Sequence, residues 1–171
     1  MEDQNKKNQE IINKLSSSNE NEIIETIKLL RKVGNNVLLY QTFITFQNNS
    51  SQQIKDEIFR LWCDLQLQES VDVIIDVIEK NEFADIKREV ISSCWQSKLE
   101  FKDLVPFINT VINDDFETAI EAFTVIDNNA FQVSKANLTE HIQQLKSAFA
   151  TISEDKKELV KQIIVMLEDA L

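Results

Sequence analysis

At 171 residues, with 43% hydrophobic and 27% charged side chains, the chain is long enough for one domain or one short repeat array with a buried core. A single Gly and a single Pro argue against sandwiches, barrels and phosphate-cradling loops, which need several glycines, whereas helix–turn–helix chains can turn on Asn, Asp and Ser. A formal charge of −11 would repel a nucleic-acid backbone or an anionic membrane surface.

The charge is unevenly placed. Residues 1–50 carry six basic and six acidic side chains, residues 51–100 six and eleven, and residues 101–171 six and twelve. All of the excess negative charge therefore lies after residue 50. Met1 to Lys14 is polar, without the apolar stretch of a signal peptide, and no segment approaches the ~18 to 20 apolar residues of a membrane span. A cytoplasmic protein without membrane contact is expected. Asn49-Ser50-Ser51 and Asn137-Leu138-Thr139 match the glycosylation pattern and are incidental on that expectation.

Amphipathic segments follow one another along the chain and predict helices at 4–16, 20–33, 36–47, 51–66, 70–80, 83–98, 102–113, 116–128, 135–151 and 154–170. Ser18 or Asn19, Ser51 and Ser153 are the expected N-caps of their helices. Gly34 follows the second helix, where a left-handed cap is expected. Pro106 falls near the start of its helix, where it is tolerated. Asp127 to Ser134 is the longest connection; it contains Phe131 and is expected to be a partly packed loop. In the last helix Leu159, Val160, Ile163, Ile164 and Leu167 form one apolar stripe opposed by Lys157, Lys161 and Glu168, so residues 153–171 read as a capping helix.

A repeat runs through these helices. Ile54-Lys55-Asp56-Glu57-Ile58 recurs 32 residues later as Ile86-Lys87-Arg88-Glu89-Val90. The same offset carries Glu57 back to Glu25 and Glu89 forward to Glu121. Two places after each Glu stands Ile27, Phe59, Ile91 or Phe123, and five places after stands Leu30, Trp62, Cys94 or Ile126. Such a period, built from two helices, predicts an all-α, right-handed α-solenoid of about five antiparallel helix pairs without β-sheet, forming one domain over 1–171. Those apolar positions, with Ile58 and Val90, are the expected core.

Asp85-Ile86-Lys87 followed by Val90, then Leu104-Val105-Pro106-Phe107-Ile108, resembles HEAT repeats of the PBS-lyase-like type, as found in short bacterial proteins. Asn21 to Phe46, with Gly34 at the turn between helices, fits the same pattern. The resemblance covers about residues 19–130. It weakens in the fourth copy, where Ala119 replaces the basic residue, and in the differently spaced last pair. It implies a non-enzymatic scaffold that binds a protein or peptide on its concave face. The family also suggests two alternatives, nucleic-acid binding or repair and a lyase-like enzyme; the charge opposes the first, and the second lacks the reactive groups.

No motif carries catalysis, a cofactor or a metal. His141 is the sole histidine, and the two cysteines, Cys63 and Cys94, are too few for a zinc site or a disulfide framework. Both read as buried thiols, and His141 as a structural or solvated side chain. The glutamate ladder is more informative, since the apolar positions place it away from the core, on the inner face of a HEAT array. Carboxylates ~10 Å apart on neighbouring helices repel by only ~0.4 kcal/mol in water, so a solvated ridge is the simplest account of them. Lys28 and Arg60 can neutralise Glu25 and Glu57 at i, i+3, whereas Ser92 and Thr124 occupy those places after Glu89 and Glu121. Between Lys102 and Lys135 there are six acids and no base. Trp95 falls one place past the buried position that Trp62 occupies, toward the edge of its stripe. The candidate binding residues are therefore Glu89, Trp95, Gln96, Glu121, Asp127 and Asn128, facing a basic protein or peptide partner, and the chain is expected to be a monomer.

Overall fold

The computed structural model describes residues 2–171; among them are ten α-helices and no strand. Two compact units divide the chain, the first ending at Leu99 and the second running from Glu100 to Leu171.

The first unit contains α1 (Glu2–Leu15), α2 (Glu20–Val33), α3 (Asn36–Asn48), α4 (Gln52–Cys63), α5 (Val71–Glu79) and α6 (Lys87–Gln96). Polar side chains start several of them. Asn19 accepts from the backbone N–H groups of Asn21 and Glu22 at the head of α2, and Asn35 accepts from Leu38 at the head of α3. The helices form two rows: α1 packs on α3 and α3 on α5, while α2 packs on α4 and α4 on α6. Contacts of α1 with α2, α3 with α4 and α5 with α6 join the rows.

Trp62 lies at the centre of this unit and is wholly buried. Its ring stacks on Phe43 with centroids 4.5 Å apart and tilts against Phe46 at 4.8 Å. Phe83 meets Phe43 and Tyr40 edge to face, extending the cluster. A buried indole N–H without a partner would be costly. Here Nε1 donates to the Thr42 hydroxyl at 2.8 Å, and that hydroxyl donates to the Leu39 carbonyl at 2.7 Å.

The second unit contains α7 (Val105–Asn113), α8 (Phe116–Asn129), α9 (Lys135–Ala148) and α10 (Lys157–Asp169). Pro106 occupies the first turn of α7, where its missing N–H costs nothing. Helix α7 packs on α8 and α9, and α10 packs on α9 and α8. Asp115 caps α8 by accepting from the Thr118 N–H, and Ser134 caps α9 by accepting from Asn137. Two buried polar groups hold this unit together. Asn129 accepts from the Phe101 N–H at 2.8 Å and donates to the Val125 carbonyl at 2.8 Å. Lys156 is 4% exposed, and its ammonium donates to the carbonyls of Val111, Ile112 and Asp114 at 3.0, 2.9 and 2.6 Å. It thereby caps the C-terminal end of α7, where orphan carbonyls and the helix dipole both favour a cation.

Several expectations need correction. Gly34 is not left-handed: its φ is −62° and its ψ 152°. Its role is close approach, because a Cβ there would stand 2.6 Å from the Leu30 carbonyl oxygen. The Asp127–Ser134 connection is shorter than expected, since α8 runs to Asn129; in the 3-10 turn that follows, Ala130–Gln132, Ala130 is buried and Phe131 is 80% exposed. Phe59 and Phe123 are only half-buried, while the other eight expected core residues are buried. Ser51 precedes α4 without a side-chain capping bond, and Ser153 heads a 3-10 turn, Glu154–Lys156, with α10 starting after it. Similar 3-10 turns at Gln68–Ser70 and Asn81–Ile86 lead into α5 and α6, which shortens α6 at its start. Such turns take up the ends of helices where no glycine supplies a sharper stop.

Gly34→Ala is expected to lower stability by about 1–3 kcal/mol in urea unfolding. The φ is compatible with alanine, so the reduced freedom of the unfolded chain would by itself favour the variant by about 0.4–1 kcal/mol. A net gain in stability would show that the Leu30 carbonyl yields freely. Lys156→Met should cost about 2–4 kcal/mol, because three carbonyls lose a charged donor. Removing residues 153–171 strips that cap together with the stripe of Leu159, Val160, Ile163 and Leu167, and should make the protein aggregate. A soluble truncation with unchanged heat stability would mean that α10 is dispensable.

Candidate functional site

The glutamate ladder begins on α2, α4 and α6 of the first unit and continues on α8 of the second. Both expected i, i+3 pairs form: Lys28 donates to Glu25 and Arg60 to Glu57, each at 2.8 Å. The rungs are not equally open. The Glu25 side chain is 72% exposed, whereas that of Glu57 is 19% exposed, and Glu89 and Glu121 are half-buried. Beyond Glu25 the ladder therefore runs along the flanks of the helices rather than along their crests. A flank position follows from the turn-by-turn drift between the Glu and the buried stripe beside it.

Of the candidate binding residues, α6 carries Glu89, Trp95 and Gln96, and α8 carries Glu121, Asp127 and Asn128. Trp95 is 38% exposed. One step along the chain, Cys94 takes the buried position, so a single residue of helical register separates an enclosed thiol from an open indole. Gln96 is exposed and donates to the carbonyl and the hydroxyl of Ser92, both at 3.2 Å. Asp127 and Asn128 are exposed at the end of α8, next to the buried Asn129.

The two thiols are held protonated. Burial pushes the Cys94 thiol far above its ordinary range, and Cys63 nearby adds to the effect. Cys63 itself is raised, chiefly by burial and then by the charge of Asp64. A thiol in this state is a poor nucleophile at neutral pH. His141 is buried, and loss of solvent lowers its pKa, opposed by the charges of Asp103 and Glu140. Among the described residues no group of three or more His, Cys, Asp or Glu is placed to hold a metal ion. No helix there is long and apolar enough to cross a membrane.

Sequence reasoning missed a cavity of about 440 Å³ in the first unit, between the α2–α3 turn and the α4–α5 connection. Leu30, Leu39, Leu61 and Leu67 supply its apolar wall. Its polar rim is already engaged: Arg31 pairs with Asp64, and Asn36 donates to the Glu69 carbonyl at 3.0 Å. These partners lie 33 residues apart, close to the repeat offset, and that spacing was the available signal. The exposed apolar residues of α8, Phe116 and Ile120, were missed as well. They stand at i, i+4 on the side of α8 away from the buried Thr118, Ala122 and Val125, a pattern visible only once that side is known to be open.

Compared with known proteins, the chain matches no family model, no curated protein and no solved structure.

A depressed His141 pKa has a definite sign in the pH dependence of stability. The native state resists protonation, so this contribution is present above the ordinary value of 6.5 and is lost as pH falls from there through the lowered native value. Urea midpoints should therefore drop as pH is lowered below 6.5, and His141→Leu should flatten that slope. An unchanged slope in the variant would assign the titration to other groups.

Proposed function

We propose that the chain is a HEAT-like α-solenoid that serves as a non-enzymatic scaffold for a basic protein or peptide. The observation that carries this reading is the 38% exposure of Trp95 on a strongly acidic protein. An indole that is part open and part packed is a favoured interface anchor, and an acidic surround selects a cationic partner. The repeat reading is supported by the 32-residue offset and by the packing of each row, in which helices meet those two places along the chain.

In this proposal Trp95 supplies the apolar contact. On the first unit Gln96 supplies a hydrogen bond and Glu89 charge; on the second, Asn128 supplies a hydrogen bond and Glu121 and Asp127 charge. Surface carboxylates act mainly on the encounter rate, whereas a desolvated Trp acts on the lifetime of the complex and can contribute ~2 kcal/mol or more. The cytoplasm is the expected compartment. A monomeric scaffold without cofactor would suffice for the role.

Affinity purification from the native cell extract, read by mass spectrometry, would name the partner. With that partner, Trp95→Ala should raise the dissociation rate about thirtyfold, the equivalent of ~2 kcal/mol. Glu121→Lys should slow association at low salt and matter less at high salt. Wild-type kinetics in both variants would reduce the acidic ridge to a solvated face.

A further inference from the structure

The cavity between the α2–α3 turn and the α4–α5 connection lies wholly within the first unit and combines a leucine wall with a polar mouth. Leu30, Leu39, Leu61, Leu65 and Leu67 line it, and no aromatic ring does, a surface that suits a branched aliphatic group. Leu67 is 61% exposed, so part of that wall is left to water. The volume of about 440 Å³ falls in the range of small-molecule pockets, ~300–1,000 Å³.

Ser70 adds an unused hydrogen-bonding group to this lining. A serine just ahead of a helix commonly caps it, from an extended backbone, by accepting from the first free N–H groups. Ser70 instead ends the 3-10 turn before α5 with φ −73° and ψ −18°, and its side chain makes no capping bond. The residue is 5% exposed, and among the described residues its hydroxyl has no hydrogen-bond partner. A bound molecule can supply one.

The charges of the lining select the ligand. Arg31 and Asp64 neutralise each other, whereas Lys32 and the Glu69 carboxylate have no partner among the described residues. Two cations and two carboxylates leave the lining without net charge, on a protein of −11. A simple anion would set like charge against Glu69, and a simple cation would do the same to Lys32. A molecule with both an ammonium and a carboxylate answers both.

We propose that this cavity is a binding site for a small aliphatic zwitterion, a branched-chain amino acid or a dipeptide of such residues. Its side chains lie on the leucines, its carboxylate toward Lys32, its ammonium toward Glu69, and Ser70 Oγ takes one hydrogen bond. The site goes beyond the scaffold reading and does not rest on it.

The test titrates the full chain with L-leucine and with leucyl-leucine, read by calorimetry and by amide shifts on the unmodified protein. The largest shifts should fall on residues 30–42 and 61–70. Three relatives of leucyl-leucine each lack one feature: the acetyl form the ammonium, the amide the carboxylate, and glycylglycine the aliphatic groups. Each should bind at least about tenfold more weakly. Glu69→Gln should remove the advantage of leucyl-leucine over its acetyl form, and Lys32→Gln its advantage over the amide. Both positions are exposed, so these variants keep the fold. Ser70→Ala should weaken binding about threefold or more. Binding of either leucine or leucyl-leucine supports the site, and the tighter of the two names the source. Absence of shifts at these residues with both compounds at about 10 mM would overturn the proposal. So would charge discrimination that persists in both glutamine variants, or tighter binding of decanoate. Equal binding of acetyl-leucyl-leucine amide, which carries neither charge, would make the cavity an anchor for a partner's chain and overturn the small-molecule site.

Discussion

Reversing the chain between the ten α-helices of its described residues with one glycine leaves the turns to side-chain oxygens and to short 3-10 segments. Asn19, Asn35, Asp115 and Ser134 each turn a carbonyl, carboxylate or hydroxyl oxygen onto the free N–H groups of the helix that follows. Where no such residue is present, a 3-10 turn tightens the chain into α5, α6 and α10. Helix ends set this way are fixed within a residue or two, and fixed ends determine which stripe each helix presents to its row. The one glycine stands at the end of α2, where a Cβ would crowd the Leu30 carbonyl.

The two units meet the cost of burying polar groups differently. In the first, the buried polar side chains are hydroxyls and one amide, among them the Thr42 hydroxyl that satisfies the Trp62 indole N–H inside an aromatic cluster. In the second, the amide of Asn129 and the ammonium of Lys156 are both enclosed, and each has its hydrogen bonds made by backbone. Satisfied groups of this kind specify geometry more sharply than they add stability, because leaving any of them unpaired is expensive. The first unit should therefore tolerate conservative changes in its core better than the second tolerates changes at Asn129 or Lys156.

The helices were legible because each buries one stripe, and a stripe leaves a periodic trace in the sequence. Their ends were less so. Gly34 was expected to be left-handed because glycine after a helix commonly is, but the constraint was steric, imposed by a carbonyl that sequence does not place. Phe59 and Phe123 sit one step beyond the middle of their stripes, and a sequence pattern cannot resolve the difference between burial and half-burial at an edge. Trp95 shows the same limit from the other side, since one step of register decides whether it or Cys94 is enclosed. Lys156 gave no signal at all: its partners lie 42 to 45 residues away, and a lysine ahead of an amphipathic helix reads as surface.

That separation has a consequence for the order in which the chain is made. Trp62 finds Thr42, Phe43 and Phe46 among residues already synthesised, so the aromatic cluster of the first unit has its inner members as soon as α4 is complete. The last carbonyls of α7 have no such early partner. They stay open to water until Lys156 emerges from the ribosome, long after α7 and α8 have left it, and only then can they be sealed. Translation therefore passes through a stage in which two helices of the second unit exist without their closing lysine. A pause or a break in that window leaves α7 without its closing lysine, exposed to chaperone or protease.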